Sequence, residues 1–244
     1  MQKISEIVFP EFNLSLDLIT YKSSQIKDIK QIDKSYPRIH SIIKTDLDKF
    51  GAFDYSCKGV IALNMDSSCN KEWALLTFLY YWLNSFNLHM NLNSSASEIG
   101  ARIIGYCVEV FLPQLRKITT QNQGYIYNDL PAINSIFSSI HYNVNLELLY
   151  YDPGDSLFGK LLERVTNEIG IVPTNIKEAE GFSIPATENN RGIIGINIKS
   201  TRLRESIITH ELYHWIMSYK SIYTVTLSEE AIIFGRAIKT FFQR

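Results

Sequence analysis

Apolar positions at helical spacing dominate the first part of the chain. In "SSQIKDIKQIDKSYPRIHSIIKTDLDKF" they recur at Ile26, Ile29 and Ile32, and again at Ile39, Ile42 and Ile43. Pro37 divides the stretch into two short helices, because its ring removes a backbone donor and restricts the preceding residue. "DYSCKGVIALNM" predicts one strand, with Val60, Ile61 and Leu63 between turn-forming residues. Two helices are expected next, over about residues 71–88 and about 95–111. Ser95 or Ser97 suits the N-cap of the second, and Pro113 falls just past its end. A third, "LPAINSIFSSIHYN", carries Pro131 in its first turn. Residues 1–145 are therefore expected to be mainly helical, with little chemistry on show.

The pattern changes after the turn signal "YYDPGD". Asp155 can cap a helix that places Leu157, Leu161, Leu162, Val165 and Ile169 on one face and ends at Gly170. "FSIPATENNRGIIGINIKS" reads as extended structure around an "ENNRG" turn, with "IIGINI" as a β-branched strand. "TRLRESIITHELYHWIMSY" is a helix with Ile207, Ile208, Leu212 and Trp215 on or near one face. After the short "IYTVT" connection, Ser228 can cap a last helix, "EEAIIFGRAIKTFF". No internal repeat or low-complexity tract stands out. The expected class is α+β, with the helical part over 1–145 followed by a second domain over 146–244.

Composition narrows the function classes. With 244 residues the chain suits one large domain or two small ones. A net charge of −1 with no basic block gives no reason to expect a nucleic-acid partner or an anionic membrane surface. The N-terminus lacks a basic start, an apolar stretch and a cleavage site, so it reads as mature sequence. The strongest apolar run, "WALLTFLYYWL", falls short of the ~20 residues a spanning helix needs, which argues against a membrane segment. Cys57, Cys69 and Cys107 have no metal-ligand spacing and read as free thiols in a reducing compartment. A cytoplasmic location is expected.

The chemistry centres on His210-Glu211-Leu212-Tyr213-His214. Residues four apart share one helix face at ~6 Å, so two imidazoles can converge on one ion. Zinc accepts neutral imidazole nitrogen, and Glu211, one position round the helix, sits where a general base can take a proton from water at the metal. Each fixed position of H-E-x-x-H thus has a physical job. A plain helix carrying two histidines is the alternative, but Glu211 on an apolar helix then needs a cationic neighbour. A catalytic zinc also needs a third protein ligand. Downstream of His214 there is no His, Asp or Cys, which leaves Glu229 and Glu230. Glu230 is favoured, because Glu-Ala-x-x-Phe leaves a small residue beside it. Glu229 is the alternative ligand, or a helix-start charge, or an acceptor for a histidine N–H.

Together "RGIIGINIKSTRLRESIITHELYHWI" and "LSEEAIIFGRAI" resemble the ImmA/IrrE type of zinc metallopeptidase, over about residues 155–242. The resemblance implies a minimal zincin-like domain over 146–244. It also implies His210, His214 and Glu230 as ligands, Glu211 as base, and a repressor or other regulatory protein as substrate. The sequence departs from that family at Tyr213, where a glycine is usual, and in the short segment between His214 and the last helix.

Three further assignments complete the expectation. The strand holding Gly195 and Ile196 could receive substrate as an added strand, or could simply be core. Tyr223 is the first choice among Tyr219, Tyr223 and Arg236 for a donor to the tetrahedral intermediate, though a packing tyrosine is the commoner role. His40, His89 and His141 are isolated and read as structural. The leading function is a zinc-dependent endopeptidase acting on a protein or peptide. Its competitors are a non-catalytic zinc-binding or regulatory interaction module and a helical binding protein without metal.

Overall fold

The computed structural model describes residues 2–25, 51–54, 58–85, 94–119, 135–169, 175–184, 191–223 and 225–242. The helices expected between Ile26 and Ile43 lie outside these, as do Cys57, Pro131 and Gly170. The chain forms two compact units, one of Met1–Ala96 with Tyr106–Ile126, the other of Ser97–Gly105 with Tyr127–Arg244.

Among its described residues the first unit adds a sheet to the expected helices. It holds a four-stranded sheet of β1 (Gln2–Phe9), β2 (Leu14–Tyr21), β3 (Gly51–Asp54) and β4 (Lys58–Asn64), in the order β1-β2-β4-β3. The strand expected around Val60, Ile61 and Leu63 is β4; β3, which ends at Asp54 as that stretch begins, pairs with it antiparallel. Helix α1 (Lys71–Ser85) follows, then α2 (Ser94–Thr119), whose residues are shared between the units. Pro113 lies inside α2 rather than beyond it. Val108, Phe111, Leu112 and Leu115 are buried, and that apolar face keeps the helix going through the missing donor.

The second unit has β5 (Ser135–Ser139), β6 (Val144–Tyr151), helix α3 (Phe158–Ile169), β7 (Gly181–Ile184), β8 (Arg191–Asn197), and helices α4 (Arg204–Ile222) and α5 (Leu227–Phe242). The strand order is β5-β6-β8-β7. The segment read as a third helix near Pro131 contains β5, because Ser135–Ser139 pairs with Val144–Leu148 across a turn closed by Asn143 at φ 49°. The expected domain boundary after residue 145 falls within β6. One face of this sheet packs Leu149, Tyr151, Phe182, Ile184 and Ile193 against Phe158 and Val165 of α3. α4 packs on β7 and β8, and α5 on α4 and β5. Among the described residues no helix is long and apolar enough to cross a membrane.

The two units repeat one another, contrary to the sequence reading. In each sheet a hairpin is followed by a parallel central pair and an antiparallel outer pair. The turn of each hairpin ends on a left-handed asparagine, Asn13 or Asn143. Leu16, Tyr21, Gly59 and Asn64 occupy the sheet positions of Leu146, Tyr151, Gly192 and Asn197. The backbone N–H after each of these asparagines donates to the matching tyrosine carbonyl, Met65 to Tyr21 and Ile198 to Tyr151. A Cβ at Gly59 would overlap the Trp82 indole, and one at Gly192 the Trp215 indole. Such a glycine lets an indole of the following helix lie directly on the sheet.

Candidate metal centre

α4 carries the motif and begins without a side-chain cap at Leu203. Its interior is fixed by packing: Ile208, Leu212, Trp215 and Ile216 are buried. The His210 and His214 rings lie on one face with centroids 4.9 Å apart.

The carboxylate that joins them comes from α2. Nitrogen atoms of His210 and His214 and a carboxylate oxygen of Glu98 all lie within 4.8 Å of one another. Two glycines explain how α2 approaches so closely. A Cβ at Gly100 would stand 2.6 Å from the Tyr213 ring, and the Gly105 carbonyl accepts from Ser206 Oγ at 2.9 Å. Glu98, just before Gly100, is thereby set against α4. Its Oε2 lies 3.0 Å from His214 Nε2, and its Oε1 accepts from Arg102 Nε at 2.6 Å.

The electrostatics suit a cation. Burial, then the neighbouring His214, push the His210 imidazole down to about 4. Burial also lowers His214. Both rings are thus neutral at pH 7, the form that binds metal. Burial opposes ionisation of Glu98, but the Arg102 bond and the two histidines outweigh it and hold the carboxyl below its ordinary range. Two imidazoles and a carboxylate brought to one point fit a metal ion better than an apolar core.

Glu211 is 8% exposed, and burial raises its carboxyl to about 7 against the opposing pull of a hydrogen bond from Ser183. It sits one residue from His210 and packs beneath Gly181 of β7.

The other expected residues lie elsewhere. Glu230 is 2% exposed, and its Oε1 lies 3.2 Å from Lys220 Nζ. Glu229 accepts from Thr226 N at 2.7 Å while its own N–H donates to Thr226 Oγ1, a capping box that makes Thr226 the start of α5. Neither glutamate belongs to the converging group. Tyr223 ends α4, nine residues or roughly 13 Å along the axis from His214, with its ring 4.8 Å from that of Tyr219. Gly195 and Ile196 lie in β8, an interior strand paired with β6 and β7, so it has no edge to offer a substrate. The outer strands of this sheet are β5 and β7, and of the two it is β7 that packs against α4.

Glu98 is the residue that sequence reasoning missed. A search for ligands downstream of His214 could not reach it. No local pattern marks it, because Glu98 meets the two histidines only through the packing of α2 on α4.

No protein-family model, curated protein or solved structure matches the chain.

Proposed function

We propose that this chain is a zinc-dependent endopeptidase, with Glu98, His210 and His214 holding the ion and Glu211 acting as general base. One observation supports it above all: two neutral imidazoles and a carboxylate converge beside a buried carboxyl whose proton affinity is tuned close to neutrality. Such a carboxyl can take a proton from the attacking water and return it to the leaving amine. Zinc held there would act as a Lewis acid on the scissile carbonyl and lower the pKa of water. His210 and His214 offer neutral nitrogen, and Arg102 holds Glu98 ionised and in place. An extended substrate pairing along β7 would lie beside Glu211, so the substrate strand is assigned to β7 rather than β8.

The likeness to the ImmA/IrrE peptidases rests on the H-E-x-x-H motif and the later EEAxxFG segment, with the glycine-led strand as shared layout. A ligand from Glu98, upstream of the motif, departs from that family's pattern. A regulatory protein, a repressor above all, is the first substrate class to test. A second reading has its own support. Glu98 bonds both Arg102 and His214, so the cluster can close as a hydrogen-bonded group in a module without catalysis.

Elemental analysis of untagged protein separates the two. About one zinc per chain, lost in His214→Ala and Glu98→Gln, with casein hydrolysis abolished but zinc retained in Glu211→Gln, is expected. Absence of zinc after metal is added back would end the peptidase reading.

A further inference from the structure

Pleating of β7 puts Gly181 and Ser183 on one face and Phe182 and Ile184 on the other, the latter two in the core beneath α3. The Gly181–Ser183 face meets α4. A Cβ at Gly181 would stand 2.6 Å from Ile207 Cγ2 and 3.1 Å from Glu211 Cγ. The strand and helix are therefore in tight contact where Glu211 leaves the helix, and Ser183, on that same face of β7, comes within reach of the Glu211 carboxyl.

The first unit holds the same frame with other contents. Gly51, Phe53, Thr77, Phe78 and Tyr81 occupy the positions of Gly181, Ser183, His210, Glu211 and His214. The frame residues are kept: Gly51 for Gly181, Leu79 for Leu212, Tyr80 for Tyr213 and Trp82 for Trp215. A Cβ at Gly51 would press on Phe78 as one at Gly181 presses on Glu211. Phe53 packs on Phe78 at 5.5 Å and stacks on Tyr81 at 5.6 Å. So the chain carries one frame twice, once with an aromatic cluster and once with the candidate metal motif. The residue facing the glutamate changes together with it. A phenylalanine at 183 would leave a buried carboxyl without its donor, and a serine at 53 would leave a gap against two rings.

We propose that Ser183 is a positioning residue whose hydroxyl donates to Glu211 and fixes the orientation of its carboxylate for proton transfer. This rests on the reading of Glu211 as general base. Ser183 is outside the Glu98–His210–His214 group, so its removal is expected to leave the ion in place and misplace the base. A base held in one geometry gains rate through orientation, so the loss falls on turnover rather than on substrate affinity.

Two measurements on the full chain test this. The first is a double-mutant cycle on thermal unfolding of the zinc-free protein at about pH 8, using Ser183→Ala, Glu211→Gln and the pair. The midpoint shifts should be non-additive by about 3 °C or more, as a charge-assisted hydrogen bond in a chain of this size gives. The second uses zinc-loaded protein with denatured casein as probe. Ser183→Ala should keep its zinc and its KM and lose about tenfold or more in kcat, and Ser183→Thr, which restores the hydroxyl, should recover most of it. Additive midpoints, or a wild-type kcat in Ser183→Ala, overturn the proposal. If Ser183→Ala does not fold, Ser183→Cys keeps the volume with a weaker donor and is held to the same criteria. Equal kcat in wild type and Glu211→Gln, or none in either, overturns the catalytic reading of Glu211 and the role of Ser183 with it; a non-additive cycle then shows only that the contact exists.

Discussion

Glu98 Oε2 meets His214 Nε2 at 3.0 Å across 116 positions of chain. Two histidines of one H-E-x-x-H helix are a local arrangement, but this third group reaches them only through tertiary packing. The Gly100–Tyr213 and Gly105–Ser206 contacts hold Ser97–Gly105 against α4, and the three side chains converge only while those contacts do. On the proposed function, metal affinity and that packing are one equilibrium.

Glu98→Gln should accordingly weaken zinc binding by roughly 100-fold or more, since it removes a charged ligand where second-shell losses alone reach 10–100-fold. Glu230→Gln should leave zinc affinity unchanged. It should cost about 1–3 kcal/mol of stability, because it uncouples a buried carboxylate from Lys220, which keeps partial solvent access. Competition against a chromophoric chelator, with denaturant unfolding of both variants, checks the pair. The reverse ranking would return the third-ligand role to Glu230.

Gly100→Ala isolates the approach of the helices. In an exposed helix this change stabilises by up to ~1 kcal/mol, but here the added methyl would stand 2.6 Å from the Tyr213 ring. The expected result is a net loss of stability and a larger loss of zinc affinity, as α2 is pushed from α4 and carries Glu98 with it. Isothermal titration with zinc chloride measures the second effect.

In the zinc-free chain Glu211 titrates near 7 when folded, against an ordinary value of 4.5. Between those values the folded state keeps a proton that the unfolded state has released. The buried carboxyl therefore costs stability that grows as pH rises from 4.5 to 7 and is absent below 4.5. Glu211→Gln should stabilise the zinc-free protein by up to roughly 3 kcal/mol at about pH 8 and by almost nothing at about pH 4. His210 works in the opposite sense. Its folded value near 4 costs stability as pH falls below 6.5, so wild type alone shows a shallow profile and the difference from the variant is the quantity to measure. Equal midpoints of the two proteins at about pH 8 would mean that Glu211 is not buried as described.

Much of the second unit was legible in the sequence, and the reason is local. The α4 residues repeat at helical spacing, and H-E-x-x-H is a five-residue pattern whose geometry follows from one helix. The "IIGINI" segment is rich in β-branched residues and buried from Ile193 to Asn197, so its type was readable, but its place inside the sheet was not: an interior and an edge strand differ in their neighbours. In the first unit β2 carries a readable alternation, Leu14, Leu16 and Leu18 with Ser15 and Asp17 between them, which the helical reading of residues 1–145 passed over. Only β1, which is half-polar, needs the pairing of Ile7 with Leu16 and of Phe9 with Leu14 to show its role. The repeat was hidden for a related reason. Its matched residues are single positions that sheet pairing aligns, and the most conspicuous segment of one copy, the motif, is Thr77–Tyr81 in the other.

That repeat makes a last prediction about where stability and metal binding part. Gly59 and Gly192 each leave room for an indole, Trp82 in the first unit and Trp215 in the second. Alanine at either site forces a fully buried ring to move, at a cost of about 1–3 kcal/mol. Trp215 follows His214 directly, so Gly192→Ala should also shift the motif helix and lower zinc affinity. Trp82 follows Tyr81, in the unit that carries the aromatic cluster, so Gly59→Ala should destabilise to a similar degree with zinc affinity intact. Chelator competition on both variants, at a temperature where each is folded, decides it. Equal loss of zinc in the two would mean that the first unit's sheet supports the metal centre as closely as the second unit's does.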